Sequence, residues 1–313
     1  MRVMITGVHG LLGQKLALVF GRETNHELLL TDLAARTFFI NKRFDYQQLN
    51  ISHLSDVKSL VGSYRPDVII NTAAMTNVDD CEEDKLAAWQ VNVDGLKNLI
   101  IPARRIEGCR VVQLSTDYVF DGRSAPYDET SRPRPVSYYG KSKLAAENAL
   151  ISGPVDGIVV RTQVLYGTGY EVRQNFVSWV LAQFEKDAAF RVVDDQRGNP
   201  TLADDLAYGI LKLVERGASG VYHVSGPESL DRFSFAQKIA EVFGFDASLI
   251  SPTTSAEIGQ SANRPPDSTF ITLKFEAACN ERLSDTARGL ERMRQQLRDG
   301  VSHTDLLTDN RFF

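Results

Sequence analysis

The segment Arg2-Val3-Met4-Ile5-Thr6-Gly7-Val8-His9-Gly10-Leu11-Leu12-Gly13 decides the fold. A short apolar run passes straight into glycines spaced G-x-x-G-x-x-G, and a helical pattern follows them. Glycine permits the tight turn, lets backbone approach a pyrophosphate and lets the helix pack closely on the strand, while open N–H groups at the helix start attract the anion. Asp32 closes the next apolar run about 20 residues on, where a carboxylate meets the ribose hydroxyls of an adenosine. The cofactor-binding candidates are therefore Gly7, His9, Gly10, Leu11, Leu12, Gly13 and Asp32. The carboxylate repels a 2′-phosphate and favours NAD(H), whereas Arg36 or Arg43 would accommodate NADP(H); a solvated loop is the plainer account of both arginines.

Outward from this turn, short apolar runs at 3–6, 27–31, 67–71, 110–114 and 157–161 read as strands covered on both faces. Helical patterns separate them. In one, Leu86, Trp89, Val93, Leu96, Ile100 and Ala103 are spaced to share a face, and Pro102 should kink or end the helix. Such alternation predicts βαβ units and an α/β fold: a Rossmann-type doubly wound parallel sheet over 1–161. The rhythm then changes, which predicts a smaller C-terminal α/β domain over 162–313, with some return to the first. Expected there are helices at 172–186, 202–216, 233–243 and 283–297, strands at 190–193 and 221–224, and an irregular excursion over 251–267. Thr201-x-x-Asp204 reads as a capping-box entry, Ser234 as a cap, and Gly244 as a stop.

Composition excludes several classes. The 313 residues carry 35 basic and 40 acidic side chains, a net charge of −5 without a block of one sign, so no basic face invites nucleic acid. Cys81, Cys109 and Cys279 lack the paired spacing of a zinc site or disulfide framework, which suits a reducing cytoplasm. Five scattered histidines have no i,i+4 pair, so no metal site is expected. No apolar run reaches the roughly 18 residues of a membrane span, and the chain starts directly in a strand, leaving no room for a signal peptide.

The chemistry points to Ser115-Thr116-Asp117 at the end of the 110–114 strand and to Tyr139-x-x-x-Lys143. Tyr and Lys four apart share a helix face. A phenol with an ordinary pKa near about 10 needs a neighbouring cation to exchange a proton at neutrality, and Lys143 provides one. The Thr116 hydroxyl can hold a carbonyl oxygen against Tyr139, so the three are the catalytic candidates. Each alone has a plainer account: Tyr–Lys pairs arise by chance, and Ser137 beside them is a natural N-cap.

The sequence resembles the extended short-chain dehydrogenase/reductase superfamily, and within it the dTDP-4-dehydrorhamnose reductase family, over most of its length. The motifs are Gly7/Gly10/Gly13, Asn71-Thr72-Ala73-Ala74-Met75-Thr76-Asn77-Val78-Asp79, Asn92-x-x-Gly95, Ser115-Thr116-Asp117-Tyr118-Val119-Phe120-Asp121-Gly122, Tyr139/Lys143, Arg161-Thr162 and Asp195-Gln196-x-Gly198-x-Pro200-Thr201. The resemblance implies NAD(P)H-dependent reduction of a nucleotide-linked 4-keto-6-deoxy sugar at C4, with Tyr139 as proton donor, Lys143 on the nicotinamide ribose and Thr116 on the carbonyl. It adds Ala73 and Ala74 to the cofactor side. Around the substrate it places Met75, Thr76, Val78, Thr116, Asp117, Tyr118, Val164 and Gln196, and it implies a homodimer. Two departures stand out: the family carries an aromatic residue where Met75 stands and a tryptophan where Val164 stands, so a flat stacking wall is missing. Relatives' metal-bridged dimers are not implied, since Gln14 and Lys15 offer no carboxylate.

Within the superfamily, a dehydratase would need a second carboxylate after Asp117, where Tyr118 stands. An epimerase would use the same Tyr and Lys. The alternative of another class is a non-catalytic NAD(P)-binding regulatory subunit docked on a partner enzyme.

Overall fold

A computed structural model describes residues 1–39 and 43–299. The first lobe runs β1 (Arg2–Thr6), α1 (Leu11–Glu23), β2 (Glu27–Asp32), β3 (Phe44–Gln48), α2 (Leu54–Tyr64), β4 (Val68–Asn71), α3 (Val78–Glu83), α4 (Lys85–Trp89), α5 (Gly95–Ala103), β5 (Arg110–Thr116), α6 (Tyr138–Ile151) and β6 (Gly157–Thr162). Then follow β7 (Leu165–Tyr166), α7 (Phe176–Phe184), β8 (Phe190–Val193), β9 (Arg197–Gly198), β10 (Thr201–Leu202), α8 (Ala203–Glu215), β11 (Gly220–His223), β12 (Leu230–Asp231), α9 (Arg232–Phe243), β13 (Ile250–Thr253), α10 (Ser255–Ile258), α11 (Leu273–Cys279) and α12 (Thr286–Arg298).

Seven strands form one parallel sheet in the order β11-β6-β5-β4-β1-β2-β3. The strand order reverses beside β1, and an open α/β sheet binds its ligand in the crevice at the carboxyl ends there. Alternation along β1 explains the two layers of helices. Val3 and Ile5 pack with Leu16 and Phe20 of α1, Leu206 and Ile210 of α8 and Phe275 of α11. Met4, on the other face, packs with Val57 of α2, Leu96 and Leu99 of α5 and Ala146 of α6. Each such side chain removed from water contributes about 1.5–3 kcal/mol. A third core holds the C-terminal lobe, where Val177, Val180, Phe235, Ile239, Leu290 and Met293 bring α7, α9 and α12 together.

The five expected strands are present, and β3 is an addition. Its residues Phe-Asp-Tyr-Gln-Gln bury only Phe44 fully, as an edge strand allows, and so carry no hydropathy signal. The expected stripe from Leu86 to Ala103 is broken. A π turn over Gln90–Asp94 separates α4 from α5 and slips the phase by about a residue, so Leu86 is 69% exposed while Ala88 and Asn92 turn inward. Pro102 lies in the last turn of α5, one residue before the helix ends.

Two capping expectations are corrected. At α8 the N-cap position is Leu202, without a side-chain cap; the Thr201 hydroxyl bonds the Asn199 carbonyl, and Asp204 pairs with Lys15 of α1 at 3.1 Å. At α9 the cap is Asp231, and Ser234 is the donor whose N–H it accepts. Gly244 does end α9, with φ 80°. α7 starts at Phe176, four residues later than expected, because Asn175 and Ser178 cap it reciprocally. The 251–267 excursion includes most of β13, paired with β8, and all of α10. α12 occupies the place of the expected last helix, while residues 300–313 of the expected second domain lie outside the described residues.

Candidate active site

The glycine turn is shaped by close backbone approach. Gly7 has φ 69°, and a Cβ on it would lie 2.7 Å from the Ala73 amide nitrogen; a Cβ on Gly13 would lie 2.3 Å from the Gly7 carbonyl oxygen. Gly10 stands at the N-cap of α1 with no side chain to cap it, so the first-turn amides around Leu11 and Leu12 face outward without a side-chain partner. The His9 N–H donates to the Asp32 carboxylate at 2.9 Å, tying the end of β2 to the turn. The His9 ring stacks on Tyr46 at 5.5 Å and packs against Phe38. The Gln14 amide donates to the carbonyls of His9 and Tyr170 and accepts from the Tyr170 N–H, which brings the loop before α7 over the same turn. Of the two arginines, Arg36 is exposed. Arg43 does not reach Asp32: its guanidinium donates to the Thr24 carbonyl, at the opposite end of β2.

Thr116 ends β5 beside β4 and β6. Ser137 caps α6, accepting from the Gly140 N–H, and Tyr139 and Lys143 follow on one face of that helix. Gly140, unremarked in the sequence reading, is essential to this approach, because a Cβ there would lie 2.1 Å from the Tyr118 carbonyl oxygen. The Tyr139 phenol stands beside the Thr116 hydroxyl, which itself donates to Asp117 at 3.0 Å, and the Tyr118 ring meets Tyr139 edge-on at 5.8 Å. Burial pushes the Tyr139 phenol well above its usual range, outweighing the opposing effect of the neighbouring Thr116 hydroxyl; Asp117, Tyr118 and Cys81 push the same way. The Lys143 ammonium is itself lowered to about 8 by burial, against the attraction of Glu147 and Cys81.

The loop after β4 is fastened from behind. Asn92, from the π turn, accepts from the Met75 N–H at 2.8 Å and donates to the Met75 carbonyl at 3.0 Å and to the Ser142 hydroxyl of α6 at 2.9 Å. Ala73, Ala74 and Met75 are half-buried, Thr76 is exposed, and Val78 opens α3. Asp117 is buried, accepts from the hydroxyls of Thr116 and Ser268, and is pushed above the usual carboxylate range by that burial. Thr116, Asp117, Tyr118, Tyr139 and Lys143 are thus brought together, with the Met75 loop held against the same helix. Gln196 is drawn elsewhere: its side chain donates to Ser255 and Gln260, and only its carbonyl reaches the Arg232 N–H. Val164 has φ 45°, a conformation strained for a β-branched residue.

Sequence reading missed two arginines here. Arg264, from the loop after α10, stands beside Tyr118 and is clasped to Asp79 of α3 at 2.7 Å. Arg232, first residue of α9, lies 5.6 Å over the Phe176 ring and faces Tyr118 and Asp117; among the described residues its guanidinium makes no ion pair or hydrogen bond. An isolated arginine at a helix start carries no sequence signal of this kind. Among the described residues no group of His, Cys, Asp or Glu could hold a metal, and no helix is long and apolar enough to cross a membrane.

The sheet order, glycine cradle and Thr–Tyr–Lys grouping define a Rossmann-type oxidoreductase of the short-chain dehydrogenase/reductase class. The chain belongs to the RmlD substrate binding domain family, whose pattern matches residues 1–299. A dTDP-4-dehydrorhamnose reductase of Aggregatibacter actinomycetemcomitans is 32% identical over 94% of this chain and 98% of that protein. Methionine adenosyltransferase 2 subunit beta of Danio rerio is 30% identical over 88% of this chain and 84% of that one. A crystal structure of dTDP-4-dehydrorhamnose reductase from Bacillus anthracis str. Ames in complex with NADP matches with a TM-score of 0.82 at 31% identity, covering 94% of this chain and 99% of the other.

Proposed function

We propose that the protein is an NAD(P)H-dependent reductase of a nucleotide-linked 4-keto-6-deoxy sugar, of the dTDP-4-dehydrorhamnose reductase type. The observation that carries this is the grouping of Thr116, Tyr139 and Lys143, with Tyr139 beside Thr116 and Lys143 one turn further along the same helix, at the carboxyl ends of a sheet that also presents the glycine cradle. The cradle suits a dinucleotide, since side chains at Gly7 or Gly13 would collide with backbone. Gly7, His9, Gly10, Leu11, Leu12 and Gly13 would hold the pyrophosphate, Asp32 the adenosine ribose, and Ala73 and Ala74 the next stretch. Lys143 would bind the nicotinamide ribose. When bound, the reduced nicotinamide supplies hydride to the C4 carbonyl carbon.

In this reading Thr116 donates its hydroxyl hydrogen to the ketone oxygen, turning away from Asp117, and Tyr139 gives its phenolic proton to the forming alkoxide. A phenol held above its usual range keeps that proton at neutrality, and an alkoxide is more basic still, so transfer runs towards product. Lys143 keeps a positive charge beside the phenolate that is left. Asp117, Tyr118, Met75, Thr76, Val78 and Val164 form the sugar side, whereas the Gln196 side chain, held by Ser255 and Gln260, does not. Arg232, with no carboxylate of its own, and Arg264 supply the cations that a nucleotide diphosphate needs. Residues 1–161 form the cofactor domain and most of the remainder the substrate domain; a homodimer and a cytoplasmic setting, consistent with three free, buried cysteines, complete the reading.

One relative's name, a subunit beta, favours a second reading, a binding subunit that does not turn over. Mixing the protein with NADH or NADPH and a panel of nucleotide 4-keto sugars decides between them. Reduction to the alcohol is expected, falling about 10²–10⁴-fold in Tyr139→Phe. Tight dinucleotide binding with no turnover on any sugar would establish the subunit, and sugar isomerisation without net cofactor consumption an epimerase.

A further inference from the structure

A buried charge network behind Lys143 has no part in the chemistry above. Glu147, one turn further along α6, is 1% exposed, and Arg161 of β6 is 3% exposed. The guanidinium grips the carboxylate with two bonds, Nε to Oε1 at 2.9 Å and Nη2 to Oε2 at 2.7 Å. The Ser115 hydroxyl, next to Thr116 on β5, also donates to Oε1. Arg161 turns its remaining nitrogen to His223 Nε2 of β11 at 3.3 Å. A guanidinium only donates, so Nε2 is the acceptor and Nδ1 carries the hydrogen, donated to the Tyr127 carbonyl at 3.2 Å. His223 is neutral, its imidazole pushed down to about 3 by burial and by Arg161.

With both oxygens taken by Arg161 and Ser115, Glu147 acts on Lys143 through space, across one turn of a buried helix face. Lys143 itself has no ion pair or hydrogen bond from its ammonium among the described residues. The titratable and charged groups around it are few. Glu147 is on its own helix and the Cys81 thiol on α3; Glu82 of α3 accepts the Tyr138 N–H at the start of α6. Tyr139 and the Asp117–Tyr118 turn lie on the side of the proposed reaction, and Arg161 lies behind Glu147.

We infer that Glu147 is a positioning residue: pinned by Arg161 and Ser115, it holds Lys143 in its charged form beside Tyr139 and locks the helix carrying both to the strand carrying Thr116. The inference rests on the catalytic roles proposed for Tyr139 and Lys143, but its test does not need turnover. A carboxylate nearby favours the ammonium, so its removal lowers the Lys143 pKa; Arg161 partly cancels that carboxylate, so its removal raises it.

The measurement is the pH titration of the Lys143 Cε signal in the full chain labelled with [13C]lysine, assigned by its loss in Lys143→Arg. Glu147→Gln should move the midpoint down from about 8 and Arg161→Gln should move it up. Each single change leaves a buried charge unpaired and can unfold the protein. Glu147→Gln/Arg161→Gln removes both charges of that pair, and there the midpoint should still fall, since the carboxylate one helical turn away is the charge that acts on Lys143. An unchanged midpoint in the folded double variant, or shifts of the same sign in both single variants, would overturn the inference. Absence of turnover in the parent protein would instead count against the reductase reading.

Discussion

At the scale of single residues, two neighbours on one helix face are driven in opposite senses by one cause. Burial makes the Tyr139 phenol keep its proton and the Lys143 ammonium give its proton up more readily. The phenol therefore contributes no limb to the pH profile near neutrality. The lysine, lowered from its ordinary value, loses its charge as pH rises through about 8. Turnover at saturating cofactor and sugar should accordingly be flat around neutrality and fall with a midpoint near about 8. A profile still rising there would show that the ammonium is not required. Tyr139 and Lys143 were legible in the sequence because helical spacing is a local property. Arg232 was not: its significance comes from facing Tyr118 and Asp117, more than a hundred residues away in the chain, and lone arginines are common.

At the scale of elements, the first turn and the π turn do complementary work. Gly10 and Gly13 look alike in sequence but differ in surroundings. A Cβ on Gly10 would meet only the Gly7 carbonyl oxygen at 3.3 Å, whereas on Gly13 it would run into the Gly7–Val8 backbone, 2.3 Å from the Gly7 carbonyl oxygen and 2.6 Å from the Val8 Cα. Gly10→Glu should thus keep the fold, as a carboxylate suits a helix N-terminus, yet abolish dinucleotide binding by filling the anion site. Gly13→Ala should lower the melting temperature as well. Thermal melts with calorimetric titration of NADH and NADPH separate the two, and retained affinity in Gly10→Glu would contradict the cofactor assignment. Central strands were legible because they are apolar throughout. The polar edge strand β3 and the phase slip at Gln90–Asp94 were not, since the first lacks a pattern and the second trades an apolar stripe for the placement of Asn92 on the Met75 backbone.

At the scale of the molecule, Asp79 is one of the carboxylates that join the two lobes across the cleft. Asp79 of α3 accepts from the Ser261 hydroxyl, the Ala262 N–H and the Arg264 guanidinium, which hold its carboxyl down to about 2, the Arg264 hydrogen bond first. A depressed carboxyl stabilises the closed arrangement above its ordinary pKa and ceases to as pH falls towards about 2. Asp79→Asn should raise KM for the nucleotide sugar several-fold with a smaller effect on kcat, and speed amide exchange at Ser261 and Ala262. Unchanged exchange would show that the clasp does not hold that loop. None of this was visible in the stretch 251–267, which read as irregular because its order comes from contacts with distant β8 and α3.

The chain's path also governs how such a protein can be recombined. After β6 it builds part of the second lobe, then returns to lay α8 against α1 and β11 beside β6, and returns once more with α11. A graft of sugar-recognising segments from a relative therefore cannot use a single crossover at the end of β6. It would have to leave 203–223 and 273–279 with the host, or the host sheet would lose its edge strand and the α8 and α11 part of one layer of its cover.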